Sequence, residues 1–297
     1  MNVLAGWKGG RLLYQIYGGI GDLLWRTALF RQIKKSFPNT YLCVSSRGPH
    51  WKLIYENNSH VDELLDFGSY DCSEFDRVIE DELCPHVRCG YAFKMHAVEA
   101  LGVWAGLTIE DLSYEYKVKD EERKWAREFL SQFARPIITV ALRASSNVRN
   151  WDPIQQLRLI KMLREIGTVI LLHSHPVDLA RLDGVVSMCG GYNVRQVAAV
   201  IEQCDLLITP DTGALHFGCH FGTPTLAYFA GTDPKCRIRK TDKNVSIIMQ
   251  SVLPDCHPCW FHGANCPRFG TSIPKCISLL KAEQVFELAL QKLKERR

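Results

Sequence analysis

Apolar and polar positions along the chain fall into short apolar runs of strand length, each followed by a stretch with helical spacing. The first run, 12–17, leads into Gly18-Gly19-Ile20-Gly21-Asp22 and then a helix over 22–36. That helix carries Leu24, Ala28, Leu29 and Ile33 inward and Arg31, Lys34 and Lys35 outward. Pro38 ends it, and 41–45 reads as the second strand. Strand, Gly-rich turn, helix and strand in this order make a right-handed crossover of the doubly wound type. A short helix at 51–56, strands at 63–67 and 75–79, a helix at 91–106 and a closing strand at 114–118 follow. Within 91–106, Met95, Val98, Leu101 and Trp104 have core spacing.

A charged helix, 119–133, punctuated by Arg135-Pro136, marks the domain boundary. A second series then begins, with strands at 136–142, 168–173, 185–188, 205–209 and 225–229. Helices fall at 153–166, after Gly190-Gly191 with Val194, Val197, Ala198 and Ile201 buried, and after Gly213. A last helix, 282–295, has Phe286, Ala289, Leu290 and Leu293 on one side. Two successive alternations predict an α/β protein of two doubly wound Rossmann-like domains, 1–118 and 136–280, joined by a linker helix at 119–135 and closed by a helix at 281–297.

The run 205–234, DLLITPDTGALHFGCHFGTPTLAYFAGTDP, carries the candidate chemistry. A strand that turns through Asp211-Thr212-Gly213 into a helix leaves N–H groups unpaired at the helix start, a seat for phosphate. Gly213 lets a ligand approach, Thr212 caps the helix or bonds an oxygen, and His216 lies one turn further in. An isolated Asp-Thr-Gly is more often an N-cap alone. The loop 143–151 holds Arg143, Ser145, Ser146, Arg149 and Trp151 at the carboxyl end of strand 136–142, where open α/β sheets bind ligands; a solvated arginine is the alternative. GGIGD is not a dinucleotide fingerprint, since its third glycine is missing and no acidic residue ends the second strand. Asp22 there either caps its helix or faces a substrate. Asp81, Glu82, His86 and Arg88 are candidate acceptor contacts.

Composition narrows the classes. The formal charge is +4, but residues 1–118 hold 12 basic against 15 acidic side chains and residues 119–297 hold 24 against 17, which suits an anionic ligand in the second half. No nucleic-acid module with interleaved basic and aromatic residues is recognisable. No apolar run approaches a membrane span, and MNVLAGWKGGRLLYQIYGG lacks the features of a signal peptide. The 12 cysteines then imply a reducing cytosol. Four of them, Cys256, Cys259, Cys266 and Cys276, are spaced as one tetrahedral thiolate site requires, with His257 or His262 as substitutes; free thiols or a reducible loop are the alternative. His173-Ser174-His175 has no acidic or thiol partner near it and is not read as a metal site.

The run strand–Asp-Thr-Gly–x-x-His–helix–Gly-x-Pro–strand–Gly-Thr-Asp-Pro closely resembles the nucleotide-sugar motif of glycosyltransferase family nine, the ADP-heptose:lipopolysaccharide heptosyltransferase-like enzymes. Gly21-Asp22 followed by two apolar residues and a basic helix resembles that family's N-terminal motif. The resemblance covers nearly the whole chain, strongly at 12–38 and 205–234, moderately at 143–151 and 256–276, and poorly at 48–118. It implies a GT-B fold, with the two domains facing across a cleft. It also implies an inverting transferase that moves a sugar, heptose-type, from a nucleoside diphosphate (ADP favoured) to a hydroxyl of a glycolipid, glycan or protein. By resemblance Asp22 is the general base, with Gly19 and Gly21 in the acceptor-side loop. Arg143, Ser145, Arg149, His175, Asp211, Thr212, Gly213, Ala214, Leu215 and His216 bind the nucleotide-sugar. Arg149, Thr212 and the amides at 213–215 stabilise the departing diphosphate, so no catalytic metal is implied. Where the family has Lys-x-Trp this chain has Arg149-Asn150-Trp151, a planar fork in place of a point charge. In the branch that glycosylates autotransporter adhesins four cysteines hold iron, so structural zinc or iron at 256–276 is the matching expectation. A cytoplasmic location, at the inner membrane face, and a role in lipopolysaccharide biosynthesis also follow from the resemblance. The competing readings are a nucleotide-sugar-binding protein without transfer, and a GT-B-type epimerase, for which no acid/base carboxylate pair is evident in the second half.

Overall fold

A computed structural model describes residues 2–81, 94–172, 184–249, 256–261 and 263–295. The chain forms two compact units, Met1–Lys117 with Lys235–Arg239, and Val118–Pro234 with Lys240–Arg297.

The first unit is built on four parallel strands, β1 (Gly10–Ile16), β2 (Thr40–Ser46), β3 (Glu63–Leu64) and β4 (Arg77–Asp81), in the order β3-β2-β1-β4. Leu12, Leu13, Tyr14 and Ile16 are wholly buried, as expected of a parallel strand covered on both faces. The chain steps from β1 outward to β3 and returns to the other side of β1 for β4. That reversal places a topological switch point between β1 and β4, where Ile16 pairs with Asp81. Helix α1 (Ile20–Ser36) is buried more completely than an amphipathic surface helix: Arg26, Thr27 and Gln32 are enclosed along with its apolar residues. Helices α2 (Trp51–Tyr55) and α3 (Ala97–Ala105) pack against it, and α3 stops at Gly106 in the left-handed region (φ +76°).

The expected strand at 114–118 is not seen: among the described residues this stretch pairs with no strand. Its alternation is real, with Tyr114, Tyr116 and Val118 buried, but the extended chain is held by side chains of α1. Glu115 N donates to Thr27 Oγ1 (2.8 Å), and Arg31 reaches the carbonyls of Asp111 and Ser113 and the carboxylate of Glu115. A period of two reports an extended chain with one face covered; it does not require a ladder.

The second unit opens with α4 (Asp120–Leu130) and carries six parallel strands. They are β5 (Ile137–Ala141), β6 (Thr168–Leu172), β7 (Val185–Ser187), β8 (Leu206–Pro210), β9 (Thr225–Phe229) and β10 (Val245–Met249), ordered β10-β9-β8-β5-β6-β7. The chain runs outward through β5, β6 and β7, then returns to the far side of β5 for β8, β9 and β10, so β5 and β8 flank the switch point. Helix α5 (Pro153–Leu163) starts where Asp152 accepts from Ile154 N (2.7 Å) ahead of Pro153. Helix α6 (Val194–Gln203) is capped by Asn193, and α7 (Gly213–Phe221) follows β8. Two helices end the chain, α8 (Lys275–Ser278) and α9 (Ala282–Glu295). Ala282, Val285 and Ala289 of α9 join Leu159, Leu163 and Leu171 in the core of this unit. Arg195 and Glu122, with Arg123 and Glu202 (2.9 Å), tie α4 to α6. Strand β10 lies in a stretch to which the apolar pattern assigns no element; Ile248 alone of its five residues is buried.

Candidate functional site

The switch point of the second unit gathers the two motifs read from the sequence. Trp151 is buried to 2% exposure; its Nε1 donates to Leu280 O (3.0 Å) and its ring meets Tyr228 at 5.7 Å. The tryptophan of Arg-Asn-Trp is thus an anchor in the core, and Asn150 Oδ1 closes the loop by accepting from Ala144 N (2.6 Å). Held from both ends, the loop directs Arg149 at the start of the β8–α7 turn. Arg149 Nη1 donates to Asp211 O (2.7 Å) and Nη2 to Ser145 Oγ (2.8 Å), while its Nε is buried with no hydrogen-bond partner. The guanidinium spans the β5 and β8 loops, and these two bonds engage two of its five N–H donors.

Asp211 sits at 3% exposure, its Oδ2 accepting from Thr232 Oγ1 (2.9 Å) and lying 3.7 Å from Arg149 Nη1. Its carboxylate therefore braces the β8 and β9 loops from below. Thr212 occupies the N-cap of α7 without a side-chain capping bond; its hydroxyl stands 3.2 Å from that of Thr209. Leu215 N is already spent on Thr212 O (3.1 Å) and its side chain is fully buried, which narrows the amides available to a ligand to those of Gly213 and Ala214. His216 is likewise turned inward, at 2% exposure. Arg143 and Ser145 are exposed at the rim of the loop. The structure so brings together Arg149, Ser145, Thr212, Gly213 and Ala214, and sets Asp211, Leu215 and His216 behind them. His175 lies outside the described residues. An uncapped helix start beside a guanidinium is an arrangement suited to an anion, because the positive end of the helix dipole and the charge of Arg149 lie side by side.

The Cys-rich segment borders this seat. Trp260 N donates to Gly231 O (2.9 Å), and a Cβ on Gly231 would stand 2.9 Å from Cys259 Sγ, so the two segments run in close contact. Ser146 Oγ reaches Gly263 O (3.4 Å). Burial, then the thiols of Cys259, Cys256 and Cys266, push the Cys276 thiol up to about 11. The four cysteines are therefore electrostatic neighbours. Among the described residues, however, no three His, Cys, Asp or Glu side chains are gathered closely enough to form a metal-ligand set. His262 lies outside the described residues, and His257 Nε2 is buried with no partner.

In the first unit Asp22 lies at the start of α1, just past the carboxyl end of β1. Its Oδ2 accepts from Gly19 N (2.9 Å), and Gly21 lies within the first turn of α1. Capping and substrate-facing roles are compatible, because the carboxylate remains half-exposed. Gly18, to which sequence reading gave no role, is the more constrained glycine: its φ is +145°, and a Cβ there would fall 2.6 Å from Asp22 Cβ and 2.8 Å from Oδ2. Gly19 has ordinary backbone and room for a Cβ. Gly18→Ala is expected to move the carboxylate. Backbone strain of about 1–3 kcal/mol should lower the melting temperature by several degrees and turnover about tenfold, read by thermal melting and a transfer assay. Of the candidate acceptor contacts, Asp81 is fully buried against Arg26 and is not available to an acceptor; Glu82, His86 and Arg88 lie outside the described residues. Thr232, within Gly-Thr-Asp-Pro, was part of the recognised run, but its role as Asp211's partner needed the fold.

Two parallel doubly wound units of this kind define the GT-B class. Residues 91–259, more than half of the chain, match glycosyltransferase family 9 (heptosyltransferase), and the chain belongs to that family. It is 22% identical over 168 residues to the lipopolysaccharide core heptosyltransferase OpsX of Haemophilus influenzae; the match takes in 53% of this chain and 46% of that protein, so the chain matches about half the length of its curated relative. Its fold is similar to that of ADP-heptose lipopolysaccharide heptosyltransferase II of E. coli (TM-score 0.71, 14% identity, 96% of this chain and 99% of that one). It is also similar to that of the iron-containing dodecameric glycosyltransferase TibC of enterotoxigenic E. coli (TM-score 0.71, 12% identity, 97% and 77%).

Proposed function

We propose that the protein is an inverting glycosyltransferase that moves a heptose-type sugar from a nucleoside diphosphate, ADP favoured, to a hydroxyl of a glycolipid, glycan or protein acceptor. The observation that supports it most is the anion seat at the β5/β8 switch point, where Arg149 and the uncapped start of α7 converge. In this reading Asp22 takes the proton from the acceptor hydroxyl, the oxygen attacks the anomeric carbon from the face opposite the nucleotide, and the nucleoside diphosphate leaves. Negative charge grows on the diphosphate as the bond breaks, and donors already fixed at that place lower the barrier. Arg149, Thr212 Oγ1 and the amides of Gly213 and Ala214 are those donors, with Ser145 and Arg143 at the rim and His175 on the base or ribose. Asp211, Leu215 and His216 serve by shaping the turn.

Calorimetry against ADP, UDP and GDP should find one that binds in the micromolar range (about −8 kcal/mol). Transfer from ADP-heptose to a lipopolysaccharide-core acceptor should give a product of inverted anomeric configuration by NMR. Retention of configuration, or failure of every nucleoside diphosphate to bind, would sink the reading. Because amides and arginine supply the positive field, brief EDTA treatment should leave turnover unchanged.

We assign the four cysteines to a structural zinc or iron ion, on the ground that their spacing suits one tetrahedral thiolate site and that a bound cation would favour the thiolate form, which burial and then the neighbouring Cys259, Cys256 and Cys266 oppose at Cys276. Filled by four thiolates, the site would leave no position open for substrate. Protein purified under reducing conditions should carry about one equivalent of metal, as a structural site of this type does, and Cys276→Ser should lower both metal content and melting temperature. Metal-free protein of undiminished stability would refute it. The described residues contain no helix long and apolar enough to cross a membrane. The reading places the protein in the cytoplasm, meeting a glycolipid acceptor at the inner membrane face.

A further inference from the structure

Behind the loop that carries Asp22 lies a charge pair that the proposed chemistry does not use. Arg26, one turn further along α1, and Asp81, the last residue of β4, have side chains with no exposure at all. Arg26 Nε donates to Asp81 Oδ2 (2.6 Å), and Tyr14 Oη donates to the same oxygen (3.0 Å). The guanidinium then turns toward the helix start, where Nη1 donates to Asp22 O (2.7 Å). Tyr55 Oη donates to the next carbonyl, Leu23 O (2.8 Å).

These two carbonyls lie in the first turn of an α-helix, where the amides one turn on already supply a donor; unmet carbonyls belong to the other end. The added bonds therefore satisfy no orphan group. What they do is fix where the first turn sits. Nor is the pair a favourable way to hold helix to sheet, because burying both charges forfeits their hydration and apolar replacements are often as stable or more so. Asp81 Oδ1 is moreover buried with no hydrogen-bond partner among the described residues. Burial opposes the charge on Arg26, but Asp81 and then Tyr14 outweigh it, so the guanidinium stays protonated; burial, then Asp81, keeps the Tyr14 phenol neutral. Neither the Arg26 guanidinium nor the Tyr14 phenol titrates in the working range.

We propose that Arg26, locked onto Asp81 at the β1/β4 switch point, is a positioning residue that holds the main chain of Asp22 so that its carboxylate meets the acceptor hydroxyl. The proposal rests on Asp22 as the base. Gly19 N fixes the carboxylate from one side and Arg26 fixes the backbone from the other, and proton transfer is sensitive to displacements of about 1 Å.

The paired variant Arg26→Met/Asp81→Asn removes both charges, keeps an acceptor for Tyr14 and loses the bond to Asp22 O. It should melt within a few degrees of the parent and bind the nucleoside diphosphate as tightly. Its donor KM should stay within about threefold while kcat falls about ten- to a hundredfold. Arg26→Lys keeps the ion pair, and hence the fold, but cannot also reach Asp22 O; its kcat should fall about fivefold or more. In an Asp22→Ala background the paired change should cost less than about threefold further, because positioning then has nothing to act on. Unchanged kcat in Arg26→Lys, or a loss that persists in full without Asp22, would overturn the proposal. Failure of the Asp22 assignment itself would show separately, as undiminished turnover in Asp22→Ala alone.

Discussion

Asp22→Ala is expected to bind nucleoside diphosphate as the parent does and to lose about 10²- to 10⁴-fold in turnover, the range general-base catalysis contributes. The two halves of that outcome come from different units. The anion seat of Arg149 and the α7 start lies in the second unit, so calorimetry with the nucleotide should not register the change. A loss in kcat with donor KM unmoved identifies a group that acts in the transition state and not in ground-state binding. Asp22 also accepts from Gly19 N at 2.9 Å, and a lost cap costs about 0.5–2 kcal/mol, so the alanine variant should melt somewhat lower. Asp22→Asn separates the two effects. Its amide oxygen still accepts from Gly19 N, so stability should return, while the group can no longer take a proton and turnover should stay low. If Asp22→Asn restored turnover to within about tenfold, less than a base contributes, Asp22 would be a cap and nothing more.

The pattern of the chain showed the two sheets because parallel strands covered on both faces must read as apolar runs, and Leu12–Ile16 and Leu206–Ile208 do. It misled at 114–118, where the burial alternates but the partners are side chains of α1. The candidate site was legible at Arg149 and at Asp211-Thr212-Gly213 because a turn from strand to helix is a local event written in adjacent residues. What could not be read was the division of labour inside the motif. Whether Asp211 points at ligand or at Thr232 depends on a residue 21 positions on, and whether Leu215 N is free depends on how tightly the first turn of α7 winds. Arg26 was hidden for the same reason: at its helical position it reads as one more basic surface residue, and its partner Asp81 is 55 residues away.

Arg149→Ala should weaken nucleoside diphosphate binding about a hundredfold and lower turnover by more. A charge-assisted hydrogen bond contributes about 1.5–3 kcal/mol, and a diphosphate that gains charge in the transition state draws on the guanidinium more strongly than the bound donor does. The loop itself gives a second reason. Removing Arg149 takes a donor from Asp211 O and a cation from 3.7 Å of a buried carboxylate, so the turn that presents Gly213 and Ala214 loosens as well. The uncharged nucleoside separates these causes. If Arg149 reads the diphosphate, the nucleoside binds parent and variant alike while the diphosphate binds only the parent well; if the loop collapses, both weaken together. Arg149→Lys keeps the charge on a flexible stem but cannot hold Asp211 O and Ser145 Oγ at once and still offer a donor to phosphate. Its affinity should fall between the two, with a larger deficit in kcat than in binding. Equal diphosphate affinity in parent and Arg149→Ala would remove the guanidinium from the seat and leave the amides of α7 to hold the anion alone.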